Sequence, residues 1–262
     1  MKDAAHLPSL FLAHGSPMLA LEGGAWGAMV AGLRAAAGTP KAILVASAHW
    51  EAAGPFRLSS AETPGVMHDF GGFPEALYAL DYPAPGAPVL AARAADLLRG
   101  AGLEATLDAQ RPLDHGAWVP LRYLAPDADI PVVQLSLPRP RTPEQLLAAG
   151  RALAPLRAEG VLILGSGGIV HNLRRLDWDG AAASRPQPWA AAFEAWVRER
   201  LAAGDEAALL DWRRAPGAAE SVPTSEHLDP LFVALGAAGG RASSLFDGWQ
   251  LGNLSLASYR FD

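Results

Sequence analysis

Four of the seven histidines in this chain stand where an apolar run ends or a helix-like one opens: His14 in LFLAHGSP, His49 in ILVASAHW, His171 in VLILGSGGIVHN and His227 in TSEHLDPL. Imidazole is the commonest metal ligand and titrates near neutral pH, so rings gathered from such positions can hold an ion and move protons beside it. The chain has no cysteine, which removes thiolate ligands, thiol nucleophiles, disulfides and iron–sulfur clusters. A metal must therefore be held by His, Asp, Glu, backbone oxygen or water.

Each ring also has a plain structural explanation. His14 alone reads better as a turn histidine bonded to backbone, and His227 can be read as a surface residue of a helix. The repeat of the strand-end position at His49 shifts the balance, because two parallel strand ends can share an ion about 2.0–2.2 Å from each ring nitrogen. Glu226 is a second candidate beside His227, but helix neighbours point about 100° apart, so only one of the two meets an ion. Glu226 then suits the positive end of a helix opening near Thr224 or Ser225. His171 follows Gly165-Ser166-Gly167-Gly168, a turn without the Lys and Ser/Thr of a P-loop. Its small residues are expected to let backbone approach a bound ligand. His115 in LDHGAWVPL, just before a helix, and His68 beside Asp69 are candidates for a substrate pocket. No Gly-x-Ser-x-Gly elbow and no His-Glu-x-x-His helix occurs.

Elements must carry these residues to one place. Short apolar runs at Ser9–Ala13, Ala42–Ala46, Val132–Leu137 and Val161–Leu164 predict strands covered on both faces. Helical spacing marks Ala25–Ala37, Val89–Leu98, Glu144–Leu156, Trp189–Ala202 and Leu228–Ala238. Asn253–Phe261 reads as a closing strand, and Gly54–Ser59 as a further short one. The alternation predicts an α/β fold: a single domain with a central mixed, mostly parallel sheet, helices on both faces and an active site at strand carboxyl ends. The Gly/Pro-punctuated stretch Ser60–Pro88 carries His68, Asp69, Phe70, Phe73, Tyr78 and Tyr82, too aromatic for a disordered linker, and is expected to form an ordered wall or lid.

The 262 residues are half hydrophobic, enough for a full core, and 21 Lys and Arg against 27 Asp and Glu give a formal charge of −6. No basic tract supports nucleic-acid binding. No apolar run is long enough to cross a bilayer, and the start MKDAAHLPSL lacks the apolar core of a signal peptide, so a cytoplasmic enzyme is expected.

Six motifs together resemble the class III extradiol ring-cleavage dioxygenases, in particular the single-chain DOPA-dioxygenase branch related to the protocatechuate 4,5-dioxygenase beta subunit. They are AHGSPM at Ala13–Met18, SAHWE at Ser47–Glu51, HDFGGFPEALYALDYPAPG at His68–Gly86, LDHGAWVPL at Leu113–Leu121, GSGGIVHNLR at Gly165–Arg174 and EHLDPL at Glu226–Leu231. They stand in the family's order and cover nearly the whole chain. The resemblance implies His14, His49 and His227 as metal ligands, His171 as the acid–base group and His115 as a residue facing substrate and oxygen. It implies Fe(II) as the active metal, with a catechol and O2 as reactants and no obligatory second subunit. The protocatechuate branch completes its site with a glutamate; here His227 occupies that place. A three-histidine set is one negative charge poorer and also suits Zn(II), which can occupy the site in purified protein. His68, Tyr78 and Arg174 are candidate contacts for a polar or carboxylate substrate tail. The rival readings are a zinc-dependent hydrolase or other non-oxygenase using the same metal pocket, and a non-catalytic binding protein on the same fold.

Overall fold

Leu10 and Leu12 face one side of a strand and Phe11 the other, because successive strand residues point to opposite faces, and all three are buried. The same holds for Ile43, Leu44 and Val45 and for Leu162, Ile163 and Leu164. Strands apolar on both faces need cover on both. The computed structural model, which describes residues 6–178 and 185–262, supplies it with helices.

The strands are β1 (Ser9–Ala13), β2 (Ala42–Ala53), β3 (Phe56–Ser59), β4 (Ala105–Asp108), β5 (Val132–Arg139), β6 (Val161–Gly167), β7 (Ala242–Phe246), β8 (Trp249–Gln250), β9 (Leu254–Ser255) and β10 (Ser258–Phe261). Eight of them form one sheet in the order β4-β3-β5-β2-β6-β1-β10-β7, while β8 and β9 pair separately. The central neighbours β5, β2, β6 and β1 are all parallel. The antiparallel pairs lie outside them, between β3 and β5 on one side and through β10 and β7 on the other. This is the mixed, mostly parallel sheet that the alternation of elements predicts.

The main helices are α1 (Gly24–Ala37), α2 (Glu75–Tyr78), α3 (Pro88–Gly100), α4 (His115–Leu124), α5 (Pro143–Leu153), α6 (Pro155–Ala158), α7 (Pro188–Ala203), α8 (Glu206–Leu210), α9 (Ala218–Ser221) and α10 (Pro230–Ala238). Trp26 and Val30 of α1 and Trp118 and Leu121 of α4 pack on the face that holds Leu10, Leu12, Ile43, Val45, Leu162 and Leu164. Ala91 and Leu98 of α3, Leu146 and Leu153 of α5 and Val233 of α10 join Phe11, Leu44 and Ile163 in the core of the other face. Full burial of each such Leu, Ile, Val or Phe side chain stabilises the fold by about 1.5–3 kcal/mol.

Several boundaries differ from the sequence expectation, each for a local reason. β2 runs on to Ala53, so His49 lies inside a strand; its register against β5 slips between Ala46 and Glu51, a bulge that re-aims the side chains between them. β6 extends through Gly167, so Gly165-Ser166-Gly167 is strand, not turn. The predicted helix to Leu156 breaks before Pro155, which lacks an amide hydrogen and opens α6. The predicted helix at Leu228 begins at Pro230, leaving Glu226 and His227 in a hydrogen-bonded turn in which Leu228 and Asp229 donate to the Ser225 carbonyl at 2.9 Å. The closing run divides into β9 and β10, which pair in different sheets.

Candidate active site

His14 follows the last residue of β1 and is fully buried, its amide donating to the Gly167 carbonyl at the end of β6 (3.1 Å). Its Nδ1 lies 3.0 Å from Ser166 Oγ. The Ser166 hydroxyl donates its own hydrogen to the Gly116 carbonyl, so it must accept from His14. That fixes the His14 proton on Nδ1 and leaves the Nε2 lone pair free. Because β6 lies between β1 and β2, Ser166 stands between the two strands that carry His14 and His49.

The His49 Nε2 lies 3.0 Å from the His14 Nε2. On its other edge, His49 Nδ1 faces Asp69 Oδ2 at 3.6 Å, which favours the proton on Nδ1 there too. Two Nε2 lone pairs then confront each other, an arrangement that a shared cation relieves. The third ring repeats the pattern. His227 Nδ1 lies 3.2 Å from Glu226 Oε1, while its Nε2 is buried without a hydrogen-bond partner. One ring nitrogen each from His14, His49 and His227 lies within 4.8 Å of the other two. Imidazoles oriented by a partner on one nitrogen and open on the other fit a divalent metal.

Burial, followed by the neighbouring rings, holds His14 and His227 well below the ordinary histidine range. Burial and then His115 lower His49 to about 3. All three are therefore neutral at physiological pH, the form that binds metal.

Two further histidines border this centre. His171 stacks on His227 with ring centroids 3.4 Å apart and planes 7° apart, and burial lowers it to about 4. His115 is the first residue of α4, its ring centroid 3.9 Å from that of His49. The α4 N-cap is Asp114, a fully buried carboxylate that accepts from Ala117 N, Ser47 Oγ (2.6 Å), Arg111 (2.8 Å) and Gln134. A cap normally steadies one helix end; this one also ties α4 to β2 and β5. Gly116 completes the fit, since a Cβ there would meet Ser47 Oγ and the His49 ring.

Above the rings opens a cavity of about 660 Å³. Phe70 and Phe73 from the stretch between β3 and α3 line it, together with Leu173, Trp178, Trp249 and Leu251. His49, His115, His171 and His227 all reach its surface.

A family model described as the catalytic LigB subunit of aromatic ring-opening dioxygenase matches residues 5–262. The chain belongs to this family. A LigB-family relative in Escherichia coli (strain K12), named 4,5-DOPA dioxygenase extradiol, is 41% identical over 262 residues, spanning 98% of this chain and 95% of its own. The protein of the same name in Beta vulgaris is 40% identical, spanning 97% and 96% of the two chains. The crystal structure of an uncharacterized protein from Escherichia coli K12 superimposes with a TM-score of 0.83 at 36% identity, covering 98% of this chain and all of that one. This LigB-family chain is an extradiol ring-opening dioxygenase, and its length matches relatives that are themselves single chains.

Within the LigB-type site the residues singled out from sequence divide into two groups. His14, His49, His115, His171 and His227 converge. His68, Tyr78 and Arg174 do not line the cavity. His68 Nε2 lies 3.0 Å from the Leu80 carbonyl and the ring packs on Phe70, Tyr78 and Trp118. The Tyr78 hydroxyl accepts from Phe73 N at 3.4 Å. Arg174 is exposed on a short 3-10 turn, Leu173–Arg175. The small residues of β6 make room for the protein's own backbone and not for a ligand: a Cβ on Gly167 would collide with the His227 carbonyl.

Sequence reasoning passed over Asp69. Its Oδ1 accepts the His115 amide at 2.9 Å and lies 3.0 Å from His115 Nδ1, while Oδ2 faces His49. Burial alone would raise this carboxyl, but its contacts with His115, followed by the charge of His49, hold it down at about 2. The available signal was the dipeptide His68-Asp69 beside the aromatic residues of that loop; the neighbour of the chosen residue is the one that reaches the rings.

Proposed function

We propose that the chain holds Fe(II) through His14, His49 and His227 and inserts both atoms of O2 into a catechol, opening the ring beside the diol. The observation that carries this reading is the pair of Nε2 atoms 3.0 Å apart, each ring with its Nδ1 turned toward an outward partner, beside the unpartnered Nε2 of His227. Bound Fe(II) would supply Lewis acidity for the diol and a path for electrons from the ring to O2. A three-histidine set also suits Zn(II), which can replace iron in isolated protein.

The side chains divide the remaining work. His171, neutral and stacked on His227, takes the proton of the diol hydroxyl it faces and returns it as the ring opens. His115, its Nδ1 against the Asp69 carboxylate, presents its other nitrogen to the second oxygen of the diol or to O2. Phe70 and Phe73 shield the ring from water. The cavity holds more than a bare catechol, and the Trp178, Trp249 and Leu251 in its lining suit an apolar or aromatic substituent. The relatives' name specifies DOPA for those proteins; we carry over its diol and leave the tail to a substrate panel. We also place the reaction in the cytoplasm, on composition alone; among the described residues no helix is long and apolar enough to cross a membrane.

Anaerobic loading with Fe(II), followed by O2 and catechols running from 4-alkylcatechols to DOPA, tests the proposal. The expected result is catechol-dependent oxygen uptake with a yellow ring-opened product, and loss of bound iron in His14→Ala, His49→Ala and His227→Ala. His171→Ala should keep iron and lose turnover. Normal turnover in that variant would remove its acid–base role, and full iron binding in any of the three ligand variants would overturn the ligand set.

A further inference from the structure

The turn that carries His227 and the strand that carries His49 are held by one buried guanidinium outside the cavity. Asp229 follows His227 by two residues, and Glu51 follows His49 by two. Arg141, in the short link between β5 and α5, donates from Nε to Asp229 Oδ2 at 2.5 Å and from Nη1 to Glu51 Oε1 at 2.7 Å. The same Nη1 reaches the Pro138 carbonyl at 3.3 Å, which anchors the guanidinium to its own strand end. Ser225 Oγ donates to Asp229 Oδ2 at 2.9 Å, and Arg139 pairs with the other oxygen of Glu51. The Arg141 side chain is 8% exposed and that of Asp229 3%, so water screens this pair far less than a surface ion pair.

We propose that Arg141 is a positioning residue for the metal centre, setting the separation of His49 and His227 by bridging the two carboxylates that follow them. It rests on the reading that these two histidines share one ion. Arg141 does not line the cavity and acts only through Glu51 and Asp229. The planar guanidinium suits the task, because its fork presents donors at fixed angles to two acceptors at once, which a lysine ammonium cannot do. Without it, two carboxylates face each other across the gap with no shared counter-ion. Their repulsion drives the His49 strand and the His227 turn apart.

The test uses Co(II) with the metal-free full chain and reads affinity by chelator competition and coordination by visible absorption. His49→Ala and His227→Ala come first. Both should lose Co(II) binding; retention by either overturns the shared-ion reading and the bridge with it. With that requirement intact, Arg141→Met should bind Co(II) about 10–100-fold more weakly, with shifted absorption bands, the range seen when an outer partner of a metal site is removed. Arg141→Lys should recover only part of the loss. Arg141→Met leaves Asp229 without a charged partner and Glu51 with Arg139 alone, so the triple variant Glu51→Gln/Arg141→Met/Asp229→Asn separates charge cost from bridging. It should regain the melting temperature of the metal-free wild type and still bind Co(II) weakly. Wild-type affinity and spectrum in folded Arg141→Met or in the triple variant would overturn the proposal.

Discussion

At the scale of single residues, the centre is defined by which nitrogen of each ring carries its proton. Ser166 fixes His14, Glu226 lies against His227, and Asp69 faces both His49 and His115. Asp69 is the most economical of these, one carboxylate serving a proposed ligand and a proposed substrate contact. Asp69→Asn keeps the size and an oxygen for the His115 amide but removes the charge that favours an Nδ1 proton on both rings. It should weaken Fe(II) or Zn(II) binding by about 10–100-fold, measured by chelator competition on folded protein. Unchanged metal affinity would reduce Asp69 to a cap on the α4 backbone.

At the scale of elements, the decisive contact is β6 against the turn before α10. Gly168 N donates to the His227 carbonyl at 2.8 Å, and the absence of a side chain on Gly167 lets that carbonyl close on the strand. Gly167→Ala forces a backbone atom to move, a cost of about 1–3 kcal/mol for overpacking. Urea unfolding should show that loss, and metal binding should weaken with it because the displaced atom belongs to a ligand residue. A wild-type midpoint would mean that the turn gives way freely. The stretch between β3 and α3 is the other element that matters. It holds itself in place through the Tyr82 hydroxyl, which donates to the Ala125 carbonyl at 2.9 Å, and so keeps Phe70 and Phe73 over the rings.

At the scale of the molecule, α7 brings a buried carboxyl, Glu194, to β9, whose Leu254 lines the cavity. Glu194 of α7 accepts from the Ser255 hydroxyl, and burial, offset in part by that hydrogen bond and opposed by Arg198, pushes its pKa up. A group whose folded pKa is raised adds stability that is full below its unfolded value and fades as pH rises through the folded one. Glu194→Gln should therefore gain stability relative to wild type as pH rises above the ordinary glutamate range, with the two converging in acid. Urea melts at several pH values check the sign; a constant difference between the two proteins would contradict it.

The sequence by itself marked the interior strands and the five rings, but not the outer strands β4 and β7, which carry no such apolar run. Runs such as LFLA and ILVA have no polar face to leave in water, so they must be interior strands. The order of motifs, through the family resemblance, singled out His14, His49, His115, His171 and His227. Sequence did not determine reach. His68 and Asp69 are adjacent, yet only Asp69 meets the rings, because neighbouring side chains diverge and the path of the loop decides which turns inward. The role of Gly167 and the link through Arg141 were equally hidden, since each depends on chain segments far apart in sequence meeting at one place. Hydrophobic pattern is a local property and can be read along the chain; the separation of two nitrogens across a cavity is set by packing, which only the tertiary structure fixes.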